Sequence, residues 1–469
     1  MTASDIIRSP EGLATHEQAL ALFNRQKYAE AAKIYQVLLL LNLNDVISWG
    51  NLSSTLRMLK HFDAALICAK RAIELSPQYP VCLNNYGTAL SELNKTTESF
   101  EAFEAALRLQ SDNFILHRNY AMALINGGYP QEALLHLNLA DTIKPKDNGI
   151  LWDIALTQLQ LGDFKNGWKS FEIRFKQPSL DKERCYKMPR WQGEDIHGKI
   201  LLIYEEQGLG DTILCSRYIP LIQARGGSVI LECKTTLQKL FSKIPGITRM
   251  AEAGQITDGF DYHVPIMSLP GIFATDLSSI PPAAPLYITT ALPPHVSHLL
   301  GFRQESFKVG IVWSGNVAFP DNRKRAVDVS RFLPLAAIPG VQLYSLQKGP
   351  QENDLVACGG ESLILPLGSN LNDFSETAAV LKQLDLIIMT DSSVAHLAGS
   401  LDVPVWNLLS YCPYWLYGLK RDDCPWYPSM RLFRQPTPSD WDSIFEEVVK
   451  ELTNAIVLKK SGVWPLPSP

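Results

Sequence analysis

The chain has 469 residues, of which 46% are apolar and 19% charged; 43 basic and 48 acidic side chains give a formal net charge of −5. At ~150 residues per domain this length suggests about three domains, and the composition excludes wholesale disorder, collagen and a coiled-coil rod. Neither half has a basic surplus, which argues against nonspecific binding to nucleic acid. The opening MTASDIIRSP carries no apolar stretch behind a charged segment, and the longest aliphatic run, Val37–Leu41, is too short to cross a bilayer. Eight cysteines stand singly with no C-x-x-C pair. The expectation is a cytoplasmic setting with no transmembrane segment, disulfide framework, zinc site or cofactor.

Self-similarity dominates the first third. A small residue recurs at Ala31, Ala65, Ser99, Ala133 and Gly167, each interval being 34 residues, and one helical turn later stand Tyr35, Ala69, Phe103, Leu137 and Phe171. A small residue lets paired helices approach closely, a bulky one fills the gap beside it, and each pair buries its apolar face only against its neighbours. This period and pattern resemble the tetratricopeptide repeat, TPR, over about residues 12–181. Fourteen positions before each small residue runs a second ladder: Glu17, Asn51, Asn85, Asn119 and Asp153. In TPR geometry that position faces the concave groove. An asparagine amide offers two donors and an acceptor, so a column of them can grip a peptide backbone without reading its side chains. The O-linked N-acetylglucosamine transferases, which share this layout, use such a column. The alternative is that these residues only solvate an open groove.

A polar connector, residues 182–198, separates the repeats from LLIYEEQGLGDTILCSRYIPLIQARGGSVILEC, which reads strand, Gly-rich turn, helix, strand. Short apolar runs alternating with helical periods indicate parallel sheet covered on both faces. A proline-punctuated stretch over 278–307 marks a crossing, with the linker placed at 291–307, and a second such block begins at KVGIVWSGN. Further strands are expected at VQLYSL, DLIIMT and VPVWNLL, then an extended MRLFRQ and a closing helix DWDSIFEEVVKEL. The expected architecture is an α-solenoid at 1–181, one Rossmann-like half at 199–290 on the acceptor side, and a second at 308–469 on the nucleotide-sugar side.

Two such halves with a cleft between strand ends resemble the GT-B glycosyltransferase layout. QGLGDT (207–212), GIVWSGN (310–316) and TDSSVAHLAG (390–399) are similar to motifs of the heptosyltransferases of glycosyltransferase family 9. The pattern Gly167, Trp168, Phe171, Glu172, Arg174 and the tail WYPSMRLFRQ resemble bacterial TPR–glycosyltransferase proteins such as the flagellin glycosyltransferases.

QGLGDT lacks the Lys-Ser/Thr of a Walker A loop and the third glycine of a dinucleotide fingerprint. Gly208 and Gly210 would permit a tight turn and close ligand approach at a helix N-terminus. Asp211 matches the presumed general base of the heptosyltransferases, a carboxylate that takes the acceptor hydroxyl's proton; the same position suits a helix cap, and Glu205 and Glu206 are rivals. In TDSSVAHLAG the resemblance gives Asp391, Ser392, Ser393 and His396 to the donor's nucleotide and phosphate, with Asp391 better suited as a cap or ribose partner. Ser314, Gly315 and Asn316 would form a second anion-binding turn. Arg323 and Arg325, with Lys324 between them, would meet a departing phosphate, and Gln347 and Lys348 would reach the nucleotide. Asp440 and Asp442 spell a D-x-D, which helix capping explains. The resulting expectation is an inverting, metal-independent transfer of sugar from a nucleotide-sugar donor to Ser or Thr hydroxyls of a protein such as flagellin, presented by the TPR groove. A glycan or lipid acceptor, or a noncatalytic scaffold, are the competing readings.

Overall fold

The computed structural model describes residues 15–289, 291–302, 305–317, 319 and 322–465. The opening decapeptide read for a leader lies outside them, as do two residues of the 291–307 linker. The chain divides into two compact units, residues 1–157 and 158–469.

Five helix pairs stand in the first third: α1 (His16–Asn24) with α2 (Tyr28–Leu41), α3 (Val46–Met58) with α4 (Phe62–Leu75), α5 (Pro80–Glu92) with α6 (Thr96–Leu109), α7 (Phe114–Asn126) with α8 (Pro130–Ile143), and α9 (Asn148–Gln160) with α10 (Phe164–Phe171). Starts are marked where the chemistry demands: Thr15 forms a capping box with Gln18, Asp45 and Asn113 accept backbone N–H groups of α3 and α7, and Pro80 and Pro130 open α5 and α8. Each pair turns through one left-handed residue, at Gln26, Lys60, Asn94, Gly128 and Gly162, again in 34-residue steps. The small-residue ladder is fully packed in the first unit, with Ala31, Ala65, Ser99 and Ala133 all at 0% exposure. A Cβ on Gly87 would stand 2.9 Å from the Phe103 ring, the close approach that the pattern implied. The fifth pair is divided: the unit boundary falls within α9, and α10 belongs with the α/β region, where Gly167 packs against Leu159.

The second unit holds two parallel sheets. The first has the order β3-β2-β1-β4, from β1 (Ile200–Tyr204), β2 (Ser228–Glu232), β3 (Ile247–Ala251) and β4 (Tyr262–Pro265). The second has the order β10-β9-β8-β5-β6-β7, from β5 (Phe307–Val312), β6 (Val341–Ser345), β7 (Ile364–Pro366), β8 (Leu386–Thr390), β9 (Val405–Leu409) and β10 (Met430–Arg434). Renumbered from its own first strand, that sheet is the doubly wound 3-2-1-4-5-6 arrangement, and the smaller one is its 3-2-1-4 beginning. All five residues of β8 and of β9 are buried, as apolar runs covered on both faces must be. The linker is not bare: it carries α12 (Pro294–Gly301) between the halves, while α11 (Leu209–Cys215) follows β1, α13 (Ser393–Ser400) follows β8, and α14 (Trp441–Lys460) closes the chain. Asp440 caps α14 through Ser443 and Asp442 pairs with Arg331, so the D-x-D serves the helix start.

Candidate functional site

In doubly wound sheets, ligands bind beyond the carboxyl ends of the strands where the strand order reverses. In the second sheet that point lies between β5 and β8, whose ends lead into Trp313–Gly315 and Asp391–Ser393; in the first it lies between β1 and β4, with β1 leading into Glu205–Asp211. Three of the sequence motifs therefore stand at the two switch points.

The motifs at 207–212 and 390–399 meet directly. Helices α11 and α13 pack together, and a Cβ on Gly210 would lie 2.7 Å from Cδ2 of His396. The glycines do not serve the turn as expected. Gly208 is extended at φ −101°, and the left-handed residue is Gln207 at φ +61°. Gly210 is glycine because a ring from the other half occupies the place of its side chain.

His396, expected from sequence at the donor's phosphate, is placed against Gly210 and Tyr427. It is 6% exposed, its Nδ1 lies 3.0 Å from the Tyr427 hydroxyl, and burial above all drives its pKa down to about 4. It is a neutral packing group at neutral pH. Arg217, 2% exposed, ties the same region by donating to the carbonyls of Pro281 and Trp426.

Asp211 accepts the Gly208 N–H at 3.1 Å, so it is a helix-start carboxylate as well as a candidate base. Its pKa rises to about 6: burial is the largest cause, and the like charges of Asp391 and Glu206 add to it. A carboxyl poised there can both take and release a proton near neutrality. Asp391 is held from two sides, by Arg325 at 3.2 Å and by the Tyr417 hydroxyl, which donates at 2.8 Å. Tyr414 feels both carboxylates, and burial together with their charge pushes its phenol well above the ordinary value. Neither tyrosine was singled out from sequence; the aromatic run YCPYWLYG (411–418) was the available signal.

The rivals to Asp211 are held by other partners. Glu206, 4% exposed, makes a two-pronged ion pair with Arg174 (1% exposed), both contacts at 2.7 Å, and accepts the Met267 N–H. That pair explains the Arg174 of the last-repeat pattern; Trp168 there donates to the Thr275 carbonyl at 2.9 Å. Glu205 accepts the Lys234 N–H.

The donor-side residues divide. Ser392 starts α13 in extended conformation, the helix has no side-chain cap, and the Ser392 hydroxyl is buried without a partner. With Ser393 in the first turn, this helix start keeps its anion-binding capacity. In the turn that follows β5 the amides of 313–315 have internal acceptors. The N–H groups of Trp313 and Ser314 donate to Gln347 Oε1, at 3.2 and 3.0 Å, and the Gly315 N–H donates to Asn322 Oδ1. Gln347 is thus an internal strut, 3% exposed, which returns its amide to the Ser314 and Lys348 carbonyls. Lys348 is exposed and donates to the Leu371 carbonyl; Asn316, Arg323 and Lys324 are exposed, while Arg325 lies over the Phe319 ring.

In the first unit the asparagine ladder braces neighbouring repeats. Asn85 donates to the Gly50 carbonyl and Asn119 to Asn84 Oδ1, both at 2.9 Å; Asn51 bonds Tyr35; Asp153, 8% exposed, pairs with Arg118 at 2.6 Å. Glu17 is exposed. Each of these amides therefore commits one group to the neighbouring repeat.

All eight cysteines are free thiols. Among the described residues no group of three or more His, Cys, Asp or Glu is arranged to hold a metal, and no helix is long and apolar enough to cross a membrane.

The fold defines a TPR helical-repeat protein joined to an α/β region of parallel sheets. The tetratricopeptide repeat family model matches residues 16–80 and 87–148. Over most of its length the chain is similar to Protein FlbA of Caulobacter vibrioides, 28% identical over 461 residues, covering 90% of this chain and 75% of that protein. Solved structures similar to it include a thermophilic TPR protein from Thermus thermophilus (17% identity, TM-score 0.33, 34% of this chain and 89% of that one). MamA from Desulfovibrio magneticus is another (14% identity, TM-score 0.30, 35% and 94%).

Proposed function

We propose that the chain is a GT-B-type glycosyltransferase that moves a sugar from a nucleotide-sugar donor to a Ser or Thr hydroxyl of a protein acceptor, with inversion and without a metal. The observation that carries the reading is the meeting of two switch-point carboxylates: Asp211, with its pKa raised to about 6, within electrostatic reach of Asp391, which Arg325 and Tyr417 hold. Asp211 would take the hydroxyl proton as the oxygen attacks the anomeric carbon. The uncapped start of α13 and the Arg325 guanidinium would meet the charge on the departing phosphate, each such contact contributing ~2–4 kcal/mol if it acts like an oxyanion donor. His396, Gln347 and the 313–315 amides act as supports in this scheme. The repeats would bind the acceptor, flagellin being the candidate that the sequence resemblance names, in a cytoplasmic setting.

The repeats also favour a second reading, a TPR scaffold without catalysis, because the family match rests on them alone. Nucleotide release from a panel of sugar nucleotides, compared between wild type and Asp211→Ala, tests the proposal. Release by neither protein supports the scaffold. The intact mass of flagellin co-expressed with and without this chain tests the acceptor, and an unchanged mass removes flagellin.

A further inference from the structure

Helix α10 ends the repeat pattern, and its side chains reach the loop that follows β9, residues 411–418. The Trp168 and Trp415 rings meet edge to face with centroids 5.2 Å apart, and Phe164 meets Trp415 in the same manner at 6.3 Å. Gln160, the last residue of α9, donates its amide to the Pro413 carbonyl at 3.3 Å. We propose that Trp168 is a positioning residue for the carboxylate site: through Trp415 it holds the 411–418 loop, from which Tyr417 bonds Asp391 and Tyr414 keeps water from Asp211. The proposal rests on the transferase reading for what the two carboxylates do.

The geometry gives the contact that reach. Trp415 is 4% exposed and is gripped on further sides by Trp426, at 5.7 Å, and by Tyr414, at 5.3 Å. Edge-to-face packing on several sides fixes the orientation of a ring. The two ends of the loop have their own ties: the Tyr411 N–H donates to Gln435 Oε1, and Arg434 donates to the Tyr417 carbonyl. Its middle, Pro413–Trp415, is the part that Gln160, Phe164 and Trp168 hold. Two residues beyond Trp415, the buried Tyr417 donates its hydroxyl to Asp391 at 2.8 Å. A reacting constellation keeps its geometry when the groups that support it are themselves locked by packing.

The charged and titratable groups about Asp211 are Asp391, Glu206, Tyr414 and the buried Cys215. Two of the four, Asp391 through Tyr417 and Tyr414 directly, depend on the loop. Burial is the chief cause of the raised Asp211 pKa, so water admitted beside Tyr414 would lower it.

The test follows the Asp211 carboxyl by carbon-13 NMR in the full chain labelled on aspartate, with Asp211→Asn identifying the signal. In Trp168→Leu the titration is expected to fall from about 6 by about half a unit or more, a loss of about threefold in proton affinity. Gln160→Ala loses one hydrogen bond at a half-buried position, so it is expected to fold and to move the titration the same way by less. Trp168→Phe, which keeps a ring against Trp415, should recover most of the wild-type value. Val448→Ala truncates the core beneath α14 without touching the loop, and should leave the titration in place. An unchanged titration in both Trp168→Leu and Gln160→Ala overturns the proposal, as does an equal fall in Trp168→Phe or Val448→Ala. Should Trp168→Leu fail to fold, Gln160→Ala decides. Sugar-nucleotide turnover does not enter this readout, so failure of the transferase reading and failure of the positioning role give different results.

Discussion

Replacing Asp211 by asparagine separates two accounts of the same residue by sign. As an ordinary helix-start carboxylate, Asp211 would be favoured in its charged form, and Asp211→Asn would destabilise the fold above pH 5 by ~0.5–1 kcal/mol. The structure gives the opposite balance. Burial and the charges of Asp391 and Glu206 outweigh the Gly208 N–H and carry the pKa from 3.8 to about 6. A group whose folded pKa is raised contributes stability that is complete below its unfolded pKa and is lost as pH climbs through the folded value. The window is therefore about pH 4 to 6. A shift of about two units at 1.36 kcal/mol each sets a ceiling of ~3 kcal/mol, which partial exposure of the carboxyl lowers to ~1–2 kcal/mol. Asparagine keeps an oxygen for the Gly208 N–H and discards the charge. Denaturant unfolding of wild type and variant at pH 4 and pH 8, followed by the tryptophans that lie mostly in the α/β unit, measures the difference. The variant is expected to be the more stable at pH 8 and equal to wild type at pH 4. A variant destabilised at pH 8, or a difference independent of pH, refutes the argument and returns Asp211 to the role of a cap.

Gly210→Ala should cost ~1–3 kcal/mol by forcing a methyl into the His396 ring, and His396→Ala should relieve most of it; additive effects in a double-mutant cycle would show that the contact is not the cause. Glu206→Leu alone should cost ~2–3 kcal/mol by taking from Arg174 its two-pronged partner and leaving it the Glu172 carboxylate, whereas Arg174→Met with Glu206→Leu should recover much of that loss in the same unfolding assay. Asn85→Ala should lower solenoid stability by ~1 kcal/mol through the lost bond to Gly50, a change that a purely solvating asparagine would not produce.

Legibility in the sequence followed the range of the interactions. The five helix pairs were visible because each obeys a local rule repeated every 34 residues, and β1, β2, β5, β6, β8 and β9 because buried parallel strands read as unbroken apolar runs. Strand β3 was hidden by its exposed Thr248 and Arg249, and β7 by having three residues. At the site, residue type misled wherever a distant partner sets the role. Nothing near Gly210 announces a ring 186 positions away, nothing in YSLQKG says that Gln347 holds the 313–314 turn, and the Asn85 and Asn119 amides find their acceptors one repeat earlier. That the 207–212 and 390–399 motifs lie together was legible in outline because both follow strands at switch points, a property of strand order. The electrostatics of Asp211 and Asp391 were not, since Tyr414 and Tyr417 enter from a segment with no motif of its own.

Anchorage of Trp168 and Arg174 in the α/β unit has a consequence for anyone dividing the chain. Cutting at 181, where the repeat pattern fades, would strip the α/β portion of an indole and a guanidinium that fill its interior, and would strand Glu206 with no counter-ion. A severance near residue 157 leaves both side chains with the fragment that needs them, and that fragment is the one to express alone.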